Sequence, residues 1–180
     1  FGTTIENCHF KNCVGTTATN AATGGGIQWA SVGNAWQVLI RGNRFYKNVG
    51  DVTVMGTSGS VPQDVVIEDN IFSGPAASVD CNIYVGGGGV NGLIVDNNIF
   101  TCKPNIGSGT NTSFIVLTSC VGILSNNMFA AQTAEGVTTE IKFGATQDNL
   151  VPTTMFMANN YGEMPTGVGA GLISGEIFRT

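Results

Sequence analysis

The sequence predicts an all-β protein, a parallel β-solenoid of about six coils. Three observations lead there. A short phrase recurs as DVVIEDNIF (residues 64–72), GLIVDNNIF (92–100) and VGILSNNMF (121–129). The phrases return at a period of about 30 residues, the range of stacked-repeat architectures. Within them apolar residues alternate at i and i+2, the spacing of a strand, and helical periodicity is nowhere sustained.

The repeat aligns on an Asn two residues before an aromatic: Asn43 before Phe45, Asn70 before Phe72, Asn98 before Phe100, Asn127 before Phe129. At the ends it degrades, with Cys8 in the Asn slot before Phe10 and Asn160 followed by Gly162. Successive slots are 35, 27, 28, 29 and 33 residues apart. Three residues before each slot stands Ile5, Ile40, Ile67, Val95, Leu124 or Met157, and two before that Thr3, Val38, Val65, Leu93, Gly122 or Met155. These two columns define the inner face of a first strand. A second strand follows each phrase, with inner pairs Ile27/Trp29, Val52/Val54, Ile83/Val85, Ile115/Leu117, Ile141/Phe143 and a weaker Ile173/Gly175. Propeller blades need about 40 residues and four strands, so a coil of two or three short strands fits better.

In such a stack each residue sits ~4.8 Å above its counterpart, and columns of the alignment become ladders in space. Phe10, Phe45, Phe72, Phe100 and Phe129 are expected to stack inside. The Asn column belongs at a bend, where amides can hydrogen-bond from coil to coil and Asn tolerates a left-handed backbone. Cys8 cannot join an amide ladder, which marks the first coil as an edge.

Bulk composition agrees with one domain over residues 1–180. A net charge of −5 argues against nucleic acid or an anionic membrane as partner, and no apolar run reaches the ~18 residues of a membrane helix; residues 113–124 come nearest. Five cysteines (Cys8, Cys13, Cys81, Cys102, Cys120) with no CxxC pair read as small buried hydrophobes made in a reducing cytosol. No metal site and no cofactor is expected. The triplet 111–113 fits a glycosylation sequon in an Asn- and Thr-rich chain. The chain opens at Phe1, almost inside a strand, and reads as a piece of a longer product whose N-terminal cap or neighbouring domain covers the first strand edges.

The phrases VVIEDNIF and LIVDNNIF resemble the V-x-I-x-x-N-x-F repeat of right-handed parallel β-helix proteins, the pectin-lyase-like superfamily. The low charge and the Gly-, Ser-, Thr- and Asn-rich loops are most similar to phage tailspikes and other virion β-helix proteins. The superfamily also holds polysaccharide lyases and glycoside hydrolases, so the resemblance bears on fold before function. Paired aspartates with Gly-His-Gly and Arg-x-Lys, as in polygalacturonases, do not occur, nor does the Asp-Pro-His-Glu of alginate epimerases. His9 is the single histidine and lies in the first coil. The one acidic pair suited to glycosidic chemistry is Glu68 and Asp96, on adjacent rungs of the column Glu6, Arg41, Glu68, Asp96, Ser125, Ala158, with Asp69 beside them. A solvated face next to Arg41 is the competing reading. Gly87, Gly89 and Gly92 spell GxGxxG, but a strand follows, so a tight turn is expected rather than a phosphate cradle.

Outward columns carry the functional expectation. On the second strand Gln28, Thr53, Tyr84, Val116, Lys142 and Ser174 form a mostly polar column, as water requires. On the first strand Thr4 is followed by Leu39, Val66, Ile94, Ile123 and Phe156, an apolar stripe roughly 20 Å long. A soluble monomer rarely leaves such a stripe bare. Loops of the same chain, another partner or neighbouring copies could cover it; side-by-side packing as a homotrimer is what the tailspike resemblance implies. Trp36, Tyr46, Tyr84 and Tyr161 are candidates for stacking on sugar rings. The leading expectation is a structural virion module, a tail spike, fibre or capsid-attached protein that contacts host-surface glycan. The alternatives are a lyase or hydrolase using Glu68 and Asp96, and a secreted glycan-binding solenoid without catalysis.

Overall fold

The computed structural model describes residues 2–14, 25–30, 36–56, 60–73, 81–101, 114–118, 120–129, 141–143, 154–161 and 172–174. Cys102, the 111–113 triplet and Gly175 lie outside them. Among the described residues there are strands and no helix. Sheet A holds Thr3–Glu6, Trp36–Arg41, Gln63–Glu68, Val90–Asp96, Cys120–Ser125, Thr154–Ala158 and Leu172–Ser174. Sheet B holds His9–Lys11, Arg44–Tyr46, Ile71–Ser73, Ile99–Phe100 and Met128–Phe129. Sheet C holds Ile27–Ala30, Val52–Gly56, Ile83–Gly87, Ile115–Leu117 and Ile141–Phe143. Every pairing is parallel, and from Thr3 to Ala158 the chain visits A, B and C in the same order again and again. That is the arrangement of a parallel β-solenoid.

The aligned columns are the pairing register. Val38, Val65, Leu93, Gly122 and Met155 are Cα partners in succession, as are Ile40, Ile67, Val95, Leu124 and Met157. Glycine at 122 breaks the apolar column for a steric reason: a Cβ there would run into the backbone carbonyl of Leu93. The recurring phrase is not one strand but two, bent between sheets A and B, so each repeat contributes three strands rather than two. The Asn slot lies at that bend, and the aromatic two residues later faces inward from sheet B. Phe10, Phe45, Phe72, Phe100 and Phe129 stack with ring centroids 4.8–5.1 Å apart and planes within 15°. Strand spacing imposes this near face-to-face geometry on the rings. Phe114, which no repeat position marks, tilts against Phe100 and Phe129.

At the bend, two jobs expected of one residue are divided between two. The Asn side chains point inward: Asn43, Asn70, Asn98, Asn127 and Asn160 are all at most 1% exposed. The left-handed backbone belongs to the residue before each, Gly42, Asp69, Asn97, Asn126 and Asn159, and to Asn7 before Cys8, with φ between 51° and 65°. Each buried Oδ1 from Asn70 onward accepts the backbone N–H and the Nδ2–H of the Asn one rung earlier, at 2.9–3.1 Å. Each Nδ2 also donates to an earlier backbone carbonyl, Ile5, Ile40, Ile67, Val95 or Leu124. Cys8 ends the ladder as expected: only its backbone N–H reaches Asn43 Oδ1, and its thiol turns to the Glu6 carbonyl.

Three further expectations need correction. Leu172–Ser174 pairs with Thr154–Ala158 in sheet A, with Ile173 opposite Met155, so Ile173 does not extend the sheet C column. An apolar i, i+2 pair fits any sheet of a solenoid, and alternation alone cannot choose among them. The outward column of sheet C is not water-facing at its centre: Thr53 and Val116 are buried, and Tyr84 packs half-buried with Val49, Cys81 and Val116. Val49 and Cys81, in the turns leading into that sheet, form a second small apolar cluster there. Among the cysteines, Cys81 and Cys120 are buried, with burial pushing the Cys120 thiol up to about 12, but Cys8 is exposed and Cys13 only half-buried.

Gly87 and Gly89 have positive φ in the turn joining Ile83–Gly87 to Val90–Asp96, the tight turn expected of the GxGxxG spelling. Replacing Asn98 by Ala should cost about 3 kcal/mol or more, since it strands the Asn70 donors and the Ile67 carbonyl in the interior. Phe72→Ala should lose about 3–5 kcal/mol, whereas Cys8→Ala at the ladder's edge should change little. Urea unfolding of the three variants measures this ranking.

Candidate functional site

The bend between sheets A and B gives the molecule a polar ridge, because a left-handed residue there projects its side chain outward. The ridge holds Asn7, Asp69, Asn97, Asn126 and Asn159, next to the column Glu6, Arg41, Glu68, Asp96, Ser125, Ala158. Its polar contacts run along the stack. Arg41 meets Glu6 at 2.7 Å and Glu68 at 3.9 Å, and the Glu6 hydrogen bond raises the guanidinium pKa further. Asn97 donates to Asp69 at 2.7 Å. Asp96 Oδ1 accepts from Ser125 Oγ at 2.6 Å and from Asn126 Nδ2 at 2.8 Å.

Glu68 and Asp96 are direct Cα partners, as the alignment predicts. Their side-chain contacts diverge: Glu68 turns toward Arg41 on the preceding rung, and Asp96 toward Ser125 and Asn126 on the following one. Two shallow depressions lie among the described residues, one of about 320 Å³ among His9, Arg44, Tyr46, Ile71 and Ser73, the other of about 240 Å³ among Gln37, Leu39, Asp64 and Val66. Neither acid is in the lining of these two. At the second depression, Gln37 and Asp64 share a left-handed backbone with Gly92 on successive rungs, an aligned kink near the head of three sheet A strands, and the register shifts there only against Cys120–Ser125. Among the described residues no group of three His, Cys, Asp or Glu converges as metal ligands.

Two apolar ribbons flank the ridge. On sheet A, Leu39, Val66, Ile94, Ile123 and Phe156 are consecutive Cα partners, and exposure grows along the ribbon from half-buried Leu39 and Val66 to 36% at Ile94, 41% at Ile123 and 47% at Phe156. On sheet B, Ile71, Ile99 and Met128 are stacked, and Tyr161 bridges to Met128; Met128 is 48% exposed and Tyr161 55%. The sequence reading missed this second ribbon. Its signal was available one position after the Asn slot, in the column His9, Arg44, Ile71, Ile99, Met128, Tyr161.

The four aromatics proposed for sugar stacking are scattered rather than gathered. Trp36 begins a sheet A strand, half-buried. Tyr84 lies on sheet C within the Val49–Cys81–Val116 cluster. Tyr46, on sheet B, has Lys11 and Lys47 Nζ 5.7 and 5.3 Å from its ring centroid. Tyr161 lies at the far end of the second ribbon. Comparison with family models, with curated proteins and with solved structures returns no match.

Asp96→Ala should cost roughly 1–2 kcal/mol by releasing Ser125 and Asn126. Arg41→Ala should have a small effect that added salt erases, because the pair it breaks is solvent-exposed. Denaturant midpoints at low and high ionic strength separate the two.

Proposed function

We propose that this chain is a structural β-solenoid module of a virion, a tail spike, fibre or capsid-attached protein, built from side-by-side copies that meet on the outer face of sheet A. One observation carries the reading: the unbroken ribbon Leu39, Val66, Ile94, Ile123 and Phe156, three of whose members are more than a third exposed. Five apolar side chains in register make a flat, rigid strip, and a soluble chain gains by covering it. Burial against a copy removes apolar area from water without ordering a loop, because the paired strands already fix the backbone beneath the ribbon. The likeness of the repeat to right-handed parallel β-helix proteins supports a right-handed coil, a homotrimer and the virion setting. Contact with a surface glycan would fall to Tyr46 and Tyr161, the ring-bearing residues exposed beside sheet B.

Sedimentation or light scattering of this 18.6 kDa chain tests the proposal. A trimer that Ile94→Lys or Ile123→Lys converts to monomer is the expected result. A wild-type chain that stays monomeric at all accessible concentrations overturns it.

A further inference from the structure

Among the described residues one carboxyl lies wholly inside the molecule, away from both ribbons and the ridge. Asp51 is 1% exposed, in the turn entering Val52–Gly56, the sheet C counterpart of the Asn bend. Its backbone joins the rungs on either side: its N–H donates to the Asn82 carbonyl at 2.9 Å and its carbonyl accepts from Ile27 at 2.8 Å. Its carboxyl faces two amides, Asn48 at 2.9 Å from Oδ1 and Asn82 at 2.6 Å from Oδ2, both residues fully buried. Gly25, Gly26 and Ile27 on the preceding rung bring no charge, and among the described residues no cation meets the carboxyl. The other amide atom of Asn82 is buried without a partner among the described residues.

A carboxylate in this setting gives up its hydration and gets only two neutral amides in return. The 2.6 Å contact is short for an amide N–H donor and ordinary for O–H donating to oxygen. Which end of an Asn amide is oxygen is assigned from the surrounding hydrogen bonds, and turning Asn82 by 180° sets its carbonyl oxygen against Asp51 Oδ2. We propose that Asp51 carries a proton in the folded protein and donates it through Oδ2–H to the side-chain oxygen of Asn82, so that this rung junction is strengthened by acid and weakened by alkali.

Burial agrees, raising the Asp51 pKa from 3.8 to about 7, with the Asn82 and Asn48 hydrogen bonds opposing. The folded chain therefore holds this proton more tightly than the unfolded one. Its contribution is full below about pH 4, declines as pH rises, and is gone above about pH 7. Denaturant unfolding of the whole chain and of Asp51→Asn at pH 5.5 and 8.5 tests the proposal. Between these values the wild-type unfolding constant should rise roughly 30-fold relative to that of Asp51→Asn, which keeps the hydrogen bonds without a titrating group. Parallel pH dependences would overturn the proposal. If Asp51→Asn does not fold, the carboxyl ¹³C shift of Asp51 in the wild type decides: a midpoint near 7 supports a buried proton, and one below 5 contradicts it.

Discussion

Everything in this molecule depends on the amide ladder at the bend between sheets A and B. An Asn at that position ties three rungs at once: it accepts from the Asn before it, donates to the Asn after it, and donates again to a carbonyl of the preceding rung. A buried amide has two donors and two acceptor sites, and this geometry uses them. Any shift of one rung by a residue would leave every one of those groups unpaired in the interior, so the ladder enforces register more strictly than apolar alternation can. The Phe stack, the Val and Ile columns and the surface ribbons all follow from that register.

The ladder also explains the surface. To turn the chain sharply while aiming an amide inward, the preceding residue must adopt a left-handed backbone, and Asn, Asp and Gly fill that place at a lower steric cost than other residues. Those residues, facing out, create a polar ridge whose amides and carboxylates hydrogen-bond along the stack. The acids that look catalytic in the sequence, Glu68 and Asp96, are thereby drawn into contacts with neighbouring rungs. On either side the outward positions are free of the ladder, and there the chain places apolar residues in unbroken rows. The proposal of self-assembly rests on those rows rather than on the ridge.

The sequence made legible whatever repeats. Columns at fixed offsets from an Asn translated directly into Cα partners, and the Phe column into a ring stack. Three things were harder to read. Splitting the phrase between two sheets depends on a left-handed residue whose identity varies among Asn, Gly and Asp, so no single letter announces the bend. The cover over Thr53 and Val116 is supplied by Val49 and Cys81 in turns that do not repeat, and an alignment is blind to them. The placement of Leu172–Ser174 hinges on pairing partners that a lone apolar pair does not specify. The second ribbon, by contrast, was visible as a column and was passed over because its first two members, His9 and Arg44, are polar.

The most direct test of the account is an NMR measurement on the side-chain amides of Asn70, Asn98 and Asn127. If the ladder exists, these NH₂ groups exchange slowly with solvent. Each also shows nuclear Overhauser contacts to the Asn of the adjacent rung, Asn70 to Asn98 and Asn98 to Asn127, but none from Asn70 to Asn127. Amides that exchange at the rate of free asparagine, or that show no rung-to-rung contacts, would contradict the register from which the fold and both surface ribbons are derived.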